Sequence, residues 1–422
     1  MWHDFLDGSG RLYAILRRHQ YARAASQNEP SSPTSGAAKE GKKSPFLDRA
    51  QMSPAIELPK GGGSVRGMGE KFTPSSFTGA GAFAVPIALS PGRQGFGPAL
   101  SLQYSSGGSN SPYGFGWGLD LPAISRKTDK GLPRYVDSLE SDTFILSGAE
   151  DLVPVLRPEN EWTSGGGVKD RQVIVRDGFR VYPYRPRVEG LFARIERWVA
   201  TDTGEVHWRS ISRENVTSYY GRSGDSRVAD PANGAHVFQW LLDESRDDRG
   251  NIVVYQYKAE DLAGVVTWEA SEHNRRAPGV SAQAQRYLKR ILYSNAAPSV
   301  ASDWRFEVVL DYGEHGTEVD GELEVSPQEL RTWPVRQDAF SSFRSGFDLR
   351  TYRLCRRVLM FHRFAVLGDD PYLVAATVLA HNATPAASYV SEVQQVAYER
   401  NPNTERFTPA AVSVEKVRRP SS

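Results

Sequence analysis

The segment DWRFEVVLDYG, residues 303–313, reads as a β-strand from its side chains alone. In an extended chain Trp304, Phe306, Val308, Leu310 and Tyr312 fall on one side, and Asp303, Arg305, Glu307 and Asp311 on the other. Such alternation predicts one packed face and one solvated face, the habit of antiparallel sheets. The signal repeats outward. GLFARIERWVATDTGEVHWRSIS (190–212) predicts two strands about a turn at Asp202, Thr203 and Gly204. HVFQWLLDESRDDRGNIVVYQYKAED (236–261) predicts a hairpin, with Phe238, Trp240 and Leu242 sharing one face and Val253, Tyr255 and Tyr257 another. PALSLQY (98–104) and Thr143–Leu146 add short strands. FDLRTYRLCRRVLMFHRF (347–364) adds one or two more, carried by Leu349, Tyr352, Leu354 and Val358 to Phe361. Helical periodicity is scarce, with candidates only at Arg11–Ala25 and Ser281–Leu288. The expected class is mostly β, with large antiparallel sheets that need a second layer or closure.

Three regions are expected: residues 1–55, a low-complexity extension with a short helix; 56–400, the β domain; and 401–422, an irregular tail. Ser26–Pro45 holds no apolar side chain larger than Ala, so it is expected to be disordered. A chain of 422 residues buries roughly three quarters of its unfolded surface, enough to fold without staples. Fifty-one basic and 50 acidic residues leave a net charge of +1, which removes the electrostatic reason to expect nucleic acid or an anionic membrane as partner. The single cysteine, Cys355, excludes a disulfide framework, and its setting RLCRRVLM reads as a buried small hydrophobe. No basic stretch followed by an apolar core opens the chain, so no Sec signal is read there. No apolar run approaches the roughly 18 residues of a membrane span.

Motifs that carry chemistry are few. There is no G-x-S-x-G, H-E-x-x-H, Walker A or C-x-x-C pattern. Lys60–Phe72 is glycine-rich, but no strand precedes it and TPSSF follows it, so close chain packing is the better reading than a phosphate cradle. Glu322 and Glu324 in GELEV point the same way from a strand, the Glu-x-Glu spacing of arginine-specific ADP-ribosyltransferases. The Ser-Thr-Ser strand of that fold is missing, so an acidic strand edge is favoured. No catalytic, cofactor-binding or metal-binding residue is assigned, and no enzymatic activity is expected.

Between Ser105 and Tyr135 runs SSGGSNSPYGFGWGLDLPAISRKTDKGLPRY. If extended, Gly114, Gly116 and Gly118 would form a bare face and Phe115 and Trp117 an aromatic one. With Pro122 and Pro133 stopping propagation, the segment reads as a tight sheet corner with both aromatics as core anchors.

These residues also carry a resemblance. LPKGGGSVRGMGEKF (58–72), residues 78–135, DTFILSGAEDLVP (142–154), DDRGNIVVYQYKAED (247–261) and residues 333–364 closely resemble the N-terminal domain of SpvB-type virulence proteins. The same domain opens the B component of bacterial insecticidal Tc toxins, and the likeness covers roughly Ile56 to Tyr398. Asp247, Gly250, Asn251 and Tyr255 also match the D-x-x-G-N…Y look of a YD/Rhs repeat.

The resemblance implies a non-catalytic part of a secreted toxin. In Tc toxins the B component and part of the C component build an Rhs-type β shell around a toxic fragment, and a propeller in B docks on the pore-forming A component. In SpvB-type proteins the domain precedes an ADP-ribosyltransferase that modifies actin. The implied partners are the propeller- and Rhs-containing remainder of B, the C component and the A component. Export is expected by a non-Sec route after cytoplasmic assembly. The sequence stops at Ser422, about where a propeller is expected, and lacks an Rhs array and a transferase domain. That fits a truncated product, a split gene or a stand-alone relative alike. Two other readings stay open: the delivery domain of an ADP-ribosylating toxin, and a surface-binding module using Trp162, Trp268 and Trp333.

Overall fold

A computed structural model of the protein describes residues 71–74, 81–147, 150–163, 170–188, 192–275 and 283–416. The helix expected at Arg11–Ala25, the Ser26–Pro45 segment and all but the end of Lys60–Phe72 lie outside these residues. Among the described residues the chain is built of antiparallel strands, and helix is confined to short 3-10 turns, the longest being Ala270–Arg275. None is long and apolar enough to cross a membrane.

The first four strands, β1 (Lys71–Pro74), β2 (Gly81–Pro86), β3 (Ser101–Ser105) and β4 (Trp117–Leu119), pair in sequence order as a small sheet. Next come β5 (Ala123–Arg126), β6 (Phe144–Leu146), β7 (Glu150–Pro154), β8 (Ile174–Arg176), β9 (Phe179–Pro186), β10 (Arg194–Ala200), β11 (Val206–Ile211), β12 (Thr217–Tyr220), β13 (Arg227–Asp230) and β14 (Asn233–Arg246). Hydrogen bonding closes a ring in the order β5-β6-β7-β9-β10-β11-β12-β14 and back to β5, with β8 added beside β9 and β13 beside β14. A ring of eight strands is just wide enough for side chains to fill. Phe144, Tyr184, Trp208 and Trp240, from β6, β9, β11 and β14, fill it, with ring centroids 4.9–6.0 Å apart. The interior is therefore a packed aromatic core rather than a channel.

The long strand β14 belongs to the barrel and also starts a second sheet. That sheet uses β15 (Ile252–Ala259), β16 (Arg286–Asn295), β17 (Trp304–Asp311), β18 (Gly316–Val319), β19 (Glu322–Val325), β22 (Arg357–His362), β23 (Tyr372–Ala383), β24 (Ser388–Arg400) and β25 (Phe407–Lys416). Its order is β14-β15-β16-β17-β22-β23-β24-β25-β19-β18. A separate ribbon pairs β20 (Phe340–Ser342) with β21 (Leu349–Thr351).

The predicted strand at 303–313 is present as β17, and its even-numbered face joins the main core through Val308 and Leu310. The expectation that the other face is solvated is corrected. Val309 is fully buried in a second core with Leu359, Phe361 and Leu373, closed by Leu323 of β19 and Phe407 of β25. Glu307 and Asp311, on that same face, are also buried. β17 lies between β16 and β22 in a sheet that curls over, so both faces are covered and the acids are matched by arginines instead of water.

Two further expectations change. Residues 286–288 of the helix candidate open β16, with Tyr287 and Leu288 buried as strand residues. Residues 407–416, expected to be an irregular tail, form β25, paired along β24 from Phe407 to Lys416. Its opposite edge touches β19 only at Phe407.

Candidate functional site

The glycine-rich segment is a turn fastened to two distant parts of the sheet. Asn110 Oδ1 accepts the Ser111 amide at 3.1 Å and Ser111 Oγ accepts the Tyr113 amide at 2.9 Å, bonds that favour a turn over a strand. Cys355 N donates to Pro112 O at 2.8 Å, and Phe115 N donates to Ser388 O at 2.8 Å. The bare glycine face expected of an extended segment is absent. Gly116 instead has φ +79°, and a Cβ there would sit 2.7 Å from the Tyr104 ring. The tight corner is real, but the two aromatics divide. Trp117 is buried against Phe83 and Tyr104, with centroids 5.9 and 5.4 Å away. Phe115 is 39 % exposed and pairs with Tyr389 at the surface, because the turn rotates it off the core.

Beneath this turn lies a network of buried charge. Arg336 grips Asp338 with two hydrogen bonds of 2.8 Å, donates to Ser111 O at 2.6 Å and donates to Asn110 Oδ1 at 2.9 Å. Ser388 Oγ donates to Asp338 at 2.7 Å. Burial alone would raise the Asp338 carboxyl, but the hydrogen bonds from Arg336, Ser388 and Asn110 outweigh it and hold the acid well below the usual carboxylate range. His381 Nε2 faces Tyr113 O at 3.1 Å, and burial pushes this imidazole down to about 4, so it is neutral near pH 7.

Deeper in, Trp333 roofs a second cluster. It is 1 % exposed, which removes it from any set of surface-binding aromatics. Its ring meets Tyr287 and Tyr312 edge-on, its Nε1 donates to Asp261 at 2.7 Å, and the Arg353 guanidinium lies 4.3 Å from its centroid. Arg353 pairs with Glu260, and neither side chain is exposed. Nearby, Lys289 Nζ pairs with Glu314 and lies 3.0 Å from His315 Nε2. His315 Nδ1 faces the Ser326 and Gln328 carbonyls at 3.0 and 3.1 Å, so the network assigns its proton to Nδ1 and leaves Nε2 to accept from Lys289. Burial, with Lys289 beside it, pushes His315 down to about 4.

Glu314, His315 and Glu329 place one ligand atom each within 4.8 Å of one another, the spacing of a metal site. The residues do not fit one: Lys289 holds both Glu314 and the Nε2 lone pair, and Glu314 Oε2 accepts the Tyr312 amide at 2.9 Å. A cation would have to displace an ammonium already matched to the same atoms. Cys355 is fully buried and burial pushes its thiol up to about 12, which makes it a packing residue and not a nucleophile.

The other singled-out residues serve local structure. Glu322 and Glu324 lie on β19; Glu322 accepts from Thr404 at 2.7 Å and from Asn401, and Glu324 faces Arg406 at 3.8 Å. Asp247 caps the β14–β15 turn by accepting the Arg249 and Asn251 amides at 3.0 and 2.8 Å. Gly250, φ +76°, packs so closely that a Cβ would stand 2.7 Å from Ser299 N, and Tyr255 is buried. The D-x-x-G-N pattern thus builds a tight hairpin end. Trp162 is half-buried and donates to Arg157 O at 2.9 Å, while Trp268 is 77 % exposed. The Arg336–Asp338 and Arg353–Glu260 pairs escaped sequence reading, since each arginine sits in a loop with no periodicity to mark it.

With this geometry in view, the comparisons are specific. The family model of the Salmonella virulence plasmid 65kDa B protein, SpvB, matches residues 75–364. Mono(ADP-ribosyl)transferase SpvB of Salmonella typhimurium strain 14028s and of Salmonella dublin is each 33 % identical over 353 residues, 81 % of this chain and 56 % of the relative. The chain therefore spans about half the length of these relatives. The N-terminal domain of effector protein SpvB from Salmonella typhimurium strain LT2 superimposes with TM-score 0.66 and 32 % identity, over 75 % of this chain and 98 % of that one. A TcdB2-TccC3 structure superimposes with TM-score 0.69 and 32 % identity, over 85 % of this chain and 17 % of that one. The Photorhabdus luminescens Tc holotoxin pore matches with TM-score 0.68 and 33 % identity, over 86 % of this chain and 17 % of that one.

Proposed function

The chain belongs to the SpvB family, and from that premise we propose that it is a non-catalytic structural module of a secreted bacterial toxin, contributing β-sheet to an encapsulating assembly of the Tc type. The observation that carries this reading is the overlap with TcdB2-TccC3 across 85 % of the chain at 32 % identity. The chemistry agrees with it. The acids and bases at the candidate site, Arg336–Asp338, Arg353–Glu260 and Lys289–Glu314, neutralise one another inside the sheet junction, an arrangement that orients strands. The proposed partners are the propeller and Rhs parts of a B component, a C component and the pore-forming A component. The proposed route is assembly in the cytoplasm followed by non-Sec export.

A second reading is favoured by the relatives named mono(ADP-ribosyl)transferase: the domain acts as the delivery part of an ADP-ribosylating toxin whose catalysis lies elsewhere. Both readings give this domain no chemistry of its own. Incubation with labelled NAD and actin is expected to show neither transfer nor hydrolysis, and turnover abolished by Glu324→Gln would overturn both. A chimera separates them. Grafted in place of the corresponding region of a Tc B component, the domain is expected to support assembly with a C component; loss of assembly by a folded chimera favours the delivery reading.

A further inference from the structure

At the start of β17, away from the Trp333 cluster, the surface opens into a cavity of about 440 Å³. That volume falls in the range of small-molecule sites, roughly 300–1,000 Å³. Its floor is Glu307, fully buried. Oε1 of Glu307 lies 2.8 Å from Arg290 Nε, and Oε2 accepts from Arg363 Nε at 2.8 Å and from Arg363 Nη2. A buried carboxylate has to be matched by a cation; here two guanidiniums converge on one acid. Arg290 is further fixed by donating Nη2 to Pro327 O at 3.0 Å. A third guanidinium, Arg305, also lines the cavity; it lies over the Phe364 ring at 5.8 Å and has no carboxylate partner among the described residues. The one other acid present, Asp303, stands exposed at the rim. Three cations against two acids leave the cavity one positive charge in excess. Trp304 and Leu292, both half-buried, supply an apolar wall.

We propose that this cavity binds a small organic oxyanion, a carboxylate or phosphate ester, with its anionic group taken by Arg305 and Arg363 and its apolar body laid against Trp304 and Leu292. The Arg305 fork, spent on no carboxylate among the described residues, matches the geometry of both oxyanions and bonds them in pairs, while Arg363, whose Nε and Nη2 are taken by Glu307, adds a single bond and its charge. Glu307 holds Arg363 in place, so little side-chain freedom is lost on binding. A single excess charge suits one small anion and not a polyanion, whose binding rests on many phosphate contacts.

The test is isothermal titration calorimetry on the full chain at low ionic strength, with phenyl phosphate and benzoate as the two probes and inorganic phosphate and acetate as their counterparts without the ring. Saturable one-to-one binding of at least one aromatic probe is expected, tighter than its ring-free counterpart and about tenfold or more weaker in Arg305→Gln. Which probe binds assigns the oxyanion as phosphate or carboxylate. Arg305 is exposed, so the variant should melt like the wild type. The proposal is overturned if neither aromatic probe saturates by about 10 mM, if the ring gives no gain, or if Arg305→Gln binds as the wild type does.

Discussion

Arg353 and Glu260 form an ion pair from which water is excluded on both sides, with Arg353 Nε 2.9 Å from Glu260 Oε2 and the Trp333 indole across the guanidinium. Glu260 lies just past the end of β15 and Arg353 in the loop before β22, so the pair ties the barrel side of the long sheet to the segment that holds the glycine-rich turn.

Breaking one half of this pair should cost far more than removing both. Arg353→Met leaves Glu260 buried without a partner and is expected to destabilise by about 3–5 kcal/mol. Arg353→Met with Glu260→Met should recover a large part of that loss. Urea unfolding of the two single variants and the double variant measures the coupling. Additive effects would show that the pair does not act as a unit.

Trp117 and Phe115 are two residues apart and should behave differently. Trp117→Ala removes a buried ring and is expected to cost about 3–5 kcal/mol. Phe115→Ala, on the surface, should stay within about 0.5 kcal/mol of the wild type. Thermal melts of the two variants check this; equal losses would contradict the turn geometry.

The strands were readable because their alternation is a local property. The hairpins at 190–212 and 236–261 appear where the side chains place them, as β10–β11 and β14–β15. What a strand pattern does not carry is what covers its second face. Glu307 and Asp311 read as solvated because charge usually means water, and only the curl that brings Leu323 and Phe407 over Val309 makes them interior. The same limit explains Trp333, a loop aromatic whose partners come from β16 and from the loops after β15 and β17. Phe115 sits at the surface because positive φ at Gly114 and Gly116 makes a turn, where alternate glycines alone suggest an extended chain. β25 escaped because PAAVSVEK alternates weakly and takes its order from pairing with β24.

Acid should loosen the fold well before its carboxylates titrate. Burial holds His207, His315, His362 and His381 each down at about 4, against about 6.5 in an unfolded chain. Between those values the unfolded chain binds more protons, so stability is intact above about pH 6.5 and falls as pH drops toward 4. Each histidine contributes on the order of 1 kcal/mol of loss by pH 5.5. Melting temperatures at pH 7.5, 6.5, 5.5 and 4.5 should fall steadily from the second value on; a flat profile to pH 4.5 would contradict the buried neutral imidazoles.

Whether this domain is one part of a larger β assembly is decided at β25. Past Phe407 its outer edge makes no strand pairing among the described residues, and Val412 and Val414 are 54 % and 45 % exposed. An open edge with apolar side chains is a template for another strand. The measurement is light scattering coupled to size exclusion, on the purified chain alone and after co-expression with a propeller–Rhs partner of the Tc type. Oligomers or aggregates are expected from the chain alone and one defined complex with the partner, lost when Val412 and Val414 are both changed to Lys. A stable monodisperse monomer that ignores the partner would contradict it.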